Sequence, residues 1–240
     1  MGRIRIGTSG FSYKEWRPSF YPADLPDKDF LRYYATRFNT VEIDSTFYRM
    51  PNARTIDGWK SATPEDFQFA VKASQQITHR EQLRVPSDAL KYLLGILPRL
   101  EHRLGYLLVQ LPPYSKCDLG RLTVFLSVVT PVVRTAIEFR NDTWCRDSTY
   151  DVLKHHGAAL CIYDGDERTS PIEMTAPFTC VRLRRSHYDA ALREEWQQRI
   201  HGWADAGIDV YAHLKHENSP EAPRIAQEFA EALGVGLVHH

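Results

Sequence analysis

Eight short runs rich in β-branched and aromatic residues recur along the chain, separated by stretches in which apolar residues have helical spacing. Each connection is long enough to carry the chain back across a sheet, as parallel strands require. This alternation favours eight parallel strands with helices between them. The eight runs are Arg3–Gly7, Thr40–Ile43, Phe67–Lys72, Tyr106–Leu111, Thr135–Phe139, Ala158–Tyr163, Phe178–Leu183 and Asp209–Leu214.

Helices are predicted in most of the intervening stretches, and Gly157 and Gly207 stand where helix C-termini favour glycine. The Asp166–Pro177 connection is too short and too rich in Thr, Ser and Pro for a full helix. The predicted helices are Lys28–Phe38, Pro86–Leu100, Asp118–Val129, Asp147–His156, Asp189–Ala206 and a last one from near Pro220 to about Gly234.

The number and rhythm of these elements predict the α/β class and a single (β/α)8 TIM-type barrel domain over residues 1–240. The alternative is an open, doubly wound sheet. Neither a GxGxxG nor a GxxxxGK[ST] motif follows the first run, so no nucleotide-binding signature supports that alternative. No Gly/Ser-rich linker divides the chain.

Composition narrows the functional classes. Thirty basic residues balance thirty acidic ones, which gives no global attraction for nucleic acid or anionic membranes. The four cysteines form no CxxC pair, and no apolar segment has the length of a signal or membrane span. We therefore expect a soluble, cytoplasmic, enzyme-sized protein with no membrane partner. The terminal pair His239 and His240 is assigned no role.

Six of the eight runs place one polar residue between two apolar neighbours near the C-terminal end of the strand. Strand side chains alternate between faces, so the polar residue is expected to point into the barrel. Active sites of such barrels lie at this end. Ser9 and Asp164, at the ends of two other runs, are expected to join the same rim. The six residues are Glu42, Lys72, Gln110, Glu138, Arg182 and His213.

The charges of this set nearly cancel, with Glu42 and Glu138 facing Lys72 and Arg182. One interpretation is a structural ion-pair network that fills the barrel. Branched aliphatic residues usually fill that position, and buried ion pairs contribute little to stability. A functional site is therefore favoured over a structural one.

Eight blocks of sequence stand out: Gly7–Trp16, Phe20–Pro22, Phe38–Tyr48, Phe69–Ala73, Ile77–His79, Gln110–Pro113, Glu138–Arg140 and Trp144. Together they resemble the domain of unknown function 72 family, also called YecE-like. The resemblance implies a TIM-barrel-like fold and supplies no established reaction. It weakens after the last two strands, where the family tends to have His-Gly and an Asn-Asn-Asp-like stretch, whereas this chain has Arg184-Arg185 and Lys215-His216-Glu217.

The first functional hypothesis is an enzyme that binds a small anionic or polyhydroxylated ligand of the sugar or sugar-phosphate class and needs no cofactor. Lys72 is the candidate base or nucleophile, since burial and a neighbouring arginine lower a lysine pKa. Glu138 or Glu42 is the candidate proton shuttle, and His79 a further acid or base. Acid–base chemistry of the isomerase or lyase type is predicted, with a hydrolase as a broader possibility.

Further residues are candidates for holding the ligand. Arg140, Arg182 and Arg184 offer bidentate contacts to an anion, and Ser9 with Gly10 offers a backbone nest for phosphate. Gln110 with Glu42 is expected to orient the lysine and the ligand, and Asp164 and His213 to complete the rim. Four loop aromatic residues either stack on the ligand or plug the barrel: Tyr13, Trp16, Tyr48 and Trp144.

Two alternatives remain open. Glu42, Glu138, Asp164 and His213 offer a ligand set for a divalent metal, as in a metal-dependent isomerase or phosphodiesterase. The positive charges nearby and the absence of an HExxH motif argue against it. The other alternative is a non-catalytic nucleic-acid-binding barrel that uses Arg182–Arg185, Lys215 and the rim aromatic residues.

Overall fold

The computed structural model describes residues 1–215 and 221–235. Eight parallel strands form one sheet in the order β1-β8-β7-β6-β5-β4-β3-β2. Their bounds differ from the predicted runs by at most two residues, which confirms the (β/α)8 TIM-type barrel. The strands are β1 (Ile4–Thr8), β2 (Thr40–Ile43), β3 (Gln68–Lys72), β4 (Leu104–Gln110), β5 (Thr135–Glu138), β6 (Ala159–Asp164), β7 (Phe178–Leu183) and β8 (Asp209–Leu214).

Helices join the strands in all but one connection. As expected, the segment between β6 and β7 contains no helix. The helix after β2 was not predicted. It is capped by Asn52, whose side chain accepts a hydrogen bond from the amide of Thr55. The helices are α1 (Phe30–Tyr34), α2 (Ala53–Ser61), α3 (Asp88–Ile96), α4 (Leu119–Val129), α5 (Asp147–His156), α6 (Ala190–Asp205) and α7 (Glu221–Ala232).

Some predictions fall on residues outside the described part of the chain. These are the start of the last helix at Pro220, the basic stretch beyond Lys215 at His216 and Glu217, and the terminal pair His239 and His240. Within residues 1–215 and 221–235, no helix has both the length and the apolar character needed to cross a membrane.

Strand alternation divides the core into two apolar layers. The larger layer lies between the strands and the helices, whereas a smaller one fills the inside of the barrel. Above the inner layer, towards the C-terminal ends of the strands, the inward positions become polar. The inner layer consists of Ala70, Tyr106, Leu108, Ala136, Ala159, Cys161, Phe178, Cys180 and Tyr211.

Side chains close the barrel where β1 meets β2. These strands share a single backbone bridge, at Ser9 and Glu42. Below it, the buried Tyr34 hydroxyl accepts a hydrogen bond from the Thr8 amide (2.8 Å) and donates one to the Thr40 carbonyl (3.1 Å). The Asn39 amide group bonds the backbone of β1 in the same way. A tyrosine and an asparagine thus replace part of the missing ladder and hold β2, with Glu42, in register.

We predict that Tyr34→Phe lowers the free energy of unfolding by about 1–3 kcal/mol, because it leaves the buried Thr8 amide without its acceptor. Urea denaturation measures this change. The matched control is Tyr33→Phe, since the Tyr33 hydroxyl makes no hydrogen bond within the described residues. Equal effects of the two substitutions would contradict a sealing role for Tyr34.

Candidate functional site

Arg182 lies at the centre of the polar end of the barrel. It projects inward from β7 and is 4% exposed. Its Nε and Nη2 donate to the two carboxylate oxygens of Glu42, each at 2.8 Å. Its Nη1 donates to Glu138 and, at 3.3 Å, to Oε1 of Gln110. Strands β2, β4, β5 and β7 therefore meet in one hydrogen-bonded cluster, which we call the Arg182 network.

Two further arginines extend the Arg182 network. Arg184 donates to Oε1 of Glu42 at 3.0 Å and to the Ser9 hydroxyl, which in turn donates to Glu42 at 2.6 Å. Arg140 donates through Nε to Glu138. With Lys72 nearby, four cationic side chains face two carboxylates. The near-cancellation expected from sequence therefore becomes a positive surplus.

Electrostatics keeps both carboxyl groups ionised. Burial by itself raises the pKa of Glu42, but the guanidiniums of Arg182 and Arg184 outweigh it and hold the pKa well below its ordinary value. Burial likewise opposes ionisation of Glu138, and Arg182 with Arg140 lowers its pKa below the usual range. Two firmly ionised, fully buried carboxylates thus fix the positions of the surrounding guanidiniums.

An open cleft of about 470 Å³ lies above the Arg182 network. Its walls are strongly basic, and it lies where the active sites of barrel enzymes are found. The residues that line it are Lys72, Gln110, Arg140, Tyr163, Asp166, Arg182, Arg184, Arg185, Ser186 and Lys215.

Lys72 differs from the other cations of the cleft. Its ammonium lies 4.3 Å from the centre of the Phe47 ring, and no carboxylate of the described residues is within ion-pair distance. Burial, followed by the charge of Arg182, lowers the Lys72 pKa to about 8. A substantial fraction of the amine is therefore neutral just above physiological pH.

His79 lies behind Phe47 rather than against Lys72. Its ring meets Phe47 edge-on, with centroids 5.0 Å apart, and its Nδ1 pairs with the Thr78 hydroxyl at 2.9 Å. Burial and the charge of Lys72 lower the His79 pKa. The Tyr48 ring also meets Phe47 edge-on, with centroids 5.1 Å apart, and is 76% exposed. His79 and Tyr48 therefore border the lysine without lining the cleft.

The two candidate tryptophans are packed into the core. Trp16 is 3% exposed and stacks among Tyr13, Phe20 and Tyr21. Trp144 is 2% exposed, stacks on Phe139 at 4.6 Å and donates its indole N–H to a backbone carbonyl. Neither tryptophan lines the cleft, and both belong to the layer between the strands and the helices.

The backbone nest expected at Ser9 and Gly10 does not form. The Ser9 amide donates to the Leu214 carbonyl at 2.9 Å, and the Gly10 amide donates to the Glu42 carbonyl at 2.8 Å. The Tyr13 ring covers Gly10, whose φ is +77°, and its hydroxyl donates to the Ser9 carbonyl. These amides serve barrel closure, so Ser9 enters the site through its hydroxyl alone.

Asp164 points away from the cleft. Its carboxylate accepts hydrogen bonds from Arg185, Thr169, Tyr188 and Trp196, the last of which lies on the outer helix α6. Alternation along β6 explains the difference, because the inward residue at this level is Tyr163. The sequence interpretation took the acidic residue as the rim residue and missed the tyrosine beside it.

His213 lies one level below the Arg182 network. Its Nε2 pairs with Thr40 at 3.2 Å and its Nδ1 with the Tyr106 hydroxyl at 3.3 Å. Burial lowers the His213 pKa to about 4, so the imidazole is neutral. This side chain connects the polar end of the barrel to its apolar interior and does not reach the cleft.

The proposed metal-ligand set is not assembled. Asp164 faces outward, His213 lies below, and Glu42 and Glu138 are occupied by guanidiniums. Among residues 1–215 and 221–235, no group of three or more His, Cys, Asp and Glu side chains is close enough to hold a metal ion. The residues present therefore do not fit the metal-dependent alternative.

Five lining residues had no assigned role as ligands of a small molecule: Tyr163, Asp166, Arg185, Ser186 and Lys215. Strand alternation alone identifies Tyr163. Its ring packs under the Arg140 guanidinium, 4.0 Å from the ring centre. The others follow β6, β7 and β8 outside regular structure, where no periodic signal indicates which residues face the cleft.

Comparison with known proteins agrees with this architecture. Residues 5–239 match a family described as "Protein of unknown function DUF72". UPF0759 protein YunF of Bacillus subtilis is 30% identical over 62% of this chain and 54% of its own length. UPF0759 protein YecE of Escherichia coli is 30% identical over 46% of this chain and 41% of its own length. The chain thus spans about half the length of the first of these curated relatives and less than half of the second.

Solved structures share the fold. A DUF72 family protein from Thermotoga maritima superposes with a TM-score of 0.83 at 24% identity, covering 97% of this chain and 99% of its own. One from Enterococcus faecalis has a TM-score of 0.80 at 20% identity, covering 97% of this chain and 96% of its own. A D-psicose 3-epimerase with D-tagatose, from Clostridium cellulolyticum, has a TM-score of 0.56 at 11% identity, covering 98% of this chain and 99% of its own.

The match extends over nearly the whole length of the sequence, and the barrel has the same architecture as other members. The chain belongs to the DUF72 family.

Proposed function

We propose that the cleft binds a small anionic, polyhydroxylated ligand of the sugar-phosphate class, and that Lys72 acts on it as base or nucleophile. The surplus of positive charge in and around the Arg182 network carries this proposal. A barrel plugged for stability alone needs no more cations than carboxylates, because an unmatched buried charge destabilises the fold.

A phosphate monoester suits this surplus. It carries a charge of about −1.5 to −2 at neutral pH and offers three acceptor oxygens to guanidinium donors. Arg140 uses Nε for Glu138, and its terminal nitrogens have no hydrogen bond to a described residue. Tyr163 holds this guanidinium flat at the cleft wall. The cleft volume of about 470 Å³ is that of a small-molecule site.

The carboxylates have a positioning role in this proposal. A general acid or proton shuttle needs a pKa close to the working pH. Arginine neighbours instead lower the pKa of Glu42 and of Glu138. We therefore assign proton transfer to Lys72 and assign Glu42, Glu138 and Gln110 to the orientation of the arginines. The named sugar epimerase shares the fold alone, and its polyhydroxylated ligand is compatible with this class.

We predict that ribose 5-phosphate binds and that ribose at the same concentration does not, because the anion matches the surplus charge. Calorimetric titration measures both. Affinity is expected to rise as the phosphate loses its second proton at about pH 6. It is expected to fall above pH 8, where Lys72, with its pKa of about 8, loses its charge.

Equal affinity for ribose and ribose 5-phosphate would contradict the proposal. A single-stranded oligonucleotide provides the second comparison. Oligonucleotide binding that is tighter than that of ribose 5-phosphate and falls steeply with salt would favour the nucleic-acid alternative instead.

We predict that substitution of one cation of the site affects mainly ligand binding, and that substitution of another affects the stability of the fold. Lys72→Met is expected to weaken ribose 5-phosphate binding about tenfold or more and to leave the thermal midpoint nearly unchanged. It removes no ion pair with a described residue, and it removes a charge that burial disfavours. Arg182→Met is expected to destabilise the fold by about 3–5 kcal/mol, because it leaves Glu42 and Glu138 with fewer partners.

Thermal denaturation and binding are measured on the same preparations. If Lys72→Met lowered the thermal midpoint by many degrees without loss of binding, the lysine would belong to a structural network and the proposed role would be wrong.

A further inference from the structure

We infer that Lys72 forms an imine with the carbonyl carbon of a phosphorylated aldehyde or ketone bound in the cleft. This inference rests on the proposed function and narrows its substrate class from sugar phosphates in general to those that present a free carbonyl group. It assigns covalent chemistry to one named nitrogen.

The surroundings of Lys72 leave its nitrogen available. No described residue accepts a hydrogen bond from the ammonium, and the face of the Phe47 ring supports it from one side at 4.3 Å. On another side is the open cleft. A lysine held by a carboxylate must break that ion pair before it reacts, whereas this amine has to lose only a proton.

Charged groups on several elements act on this amine. The two arginines disfavour its protonated form and the two glutamates favour it, while burial adds the largest effect and the pKa falls to about 8. His79, on the turn after β3, interacts with the lysine charge as well. The charged and titratable groups that act on Lys72 are Arg182, Arg184, Glu42, Glu138 and His79.

Gln110 supplies a donor for the carbonyl oxygen. Its Oε1 accepts from Arg182 at 3.3 Å, which orients the amide. The Nε2 of the same group makes no hydrogen bond with a described residue, and Gln110 lines the cleft with Lys72. This N–H group is therefore available to donate a hydrogen bond to the substrate oxygen as it acquires negative charge.

The chemistry balances without a cofactor. The lone pair of the neutral amine forms a C–N bond and the carbonyl π electrons move to oxygen. The nitrogen then gives up one of its two protons and the oxygen takes up one, which leaves a neutral carbinolamine. The C–O bond then breaks, a second proton leaves with the oxygen as water, and a protonated imine remains. Amine, carbonyl compound and one proton give iminium and water.

Borohydride trapping tests the inference with glyceraldehyde 3-phosphate as the probe. Hydride addition to the imine carbon gives a stable secondary amine, which peptide mass mapping assigns to a lysine. Unphosphorylated glyceraldehyde is the control for the phosphate, and we expect labelling of Lys72 to be about tenfold or more slower with it. The labelling rate is expected to rise between pH 7 and 9 as the amine becomes neutral.

Two variants separate this inference from the proposed function. Lys72→Arg keeps the positive charge but forms no imine, so it is expected to bind ribose 5-phosphate and to lose the label. Lys116→Met, an exposed lysine in the loop after β4, is expected to label as the wild type does.

Binding of ribose 5-phosphate to the wild type without a label on Lys72 would overturn the imine and leave the proposed function standing. Absence of phosphate-dependent binding would overturn both. Labelling spread over Lys116 and other exposed lysines, or unchanged in Lys72→Arg, would show nonspecific reaction and would also overturn the imine.

Discussion

A single buried guanidinium organises the polar end of this barrel. Arg182 joins two carboxylates from opposite parts of the sheet, and neither carboxylate reaches solvent. Each charge is tolerable because the others are in place, since removal of one partner leaves a buried ion uncompensated. The network therefore behaves as one unit. Its rigidity explains how further cations, Arg140, Arg184 and Lys72, are held close together despite their mutual repulsion.

The barrel wall and the site depend on each other at one place. Between β1 and β2 the ladder is reduced to one bridge, and this bridge contains Glu42. Ser9 belongs to the same bridge and donates its hydroxyl proton to the Glu42 carboxylate. Closure of the cylinder by Tyr34 and Asn39 thus also determines where the principal partner of Arg182 stands. Loss of this closure would alter the charge geometry of the cleft as well as the stability of the fold.

The sequence was sufficient to predict the strands and the inward direction of their polar residues, because both follow from a period of two along short buried segments. It was also sufficient to predict that Glu42, Gln110, Glu138 and Arg182 meet inside the barrel, where the structure joins them in one network. It failed for Asp164, where an acidic side chain was preferred over the register that selects Tyr163. Loop residues such as Ser186 follow no period, and their position depends on tertiary contacts that no local pattern contains.

The outward-facing Asp164 has a consequence for the entry of molecules into the barrel. Its carboxylate anchors Thr169 and Arg185, from two consecutive loops, to Tyr188 and to Trp196 on α6. That side of the opening is already ordered by these hydrogen bonds, so ligand binding there would cost little conformational entropy. Any ordering that binding of a ligand of the proposed class requires is therefore expected in the loops after β2 and β4, which carry the exposed rings of Tyr48 and Tyr114.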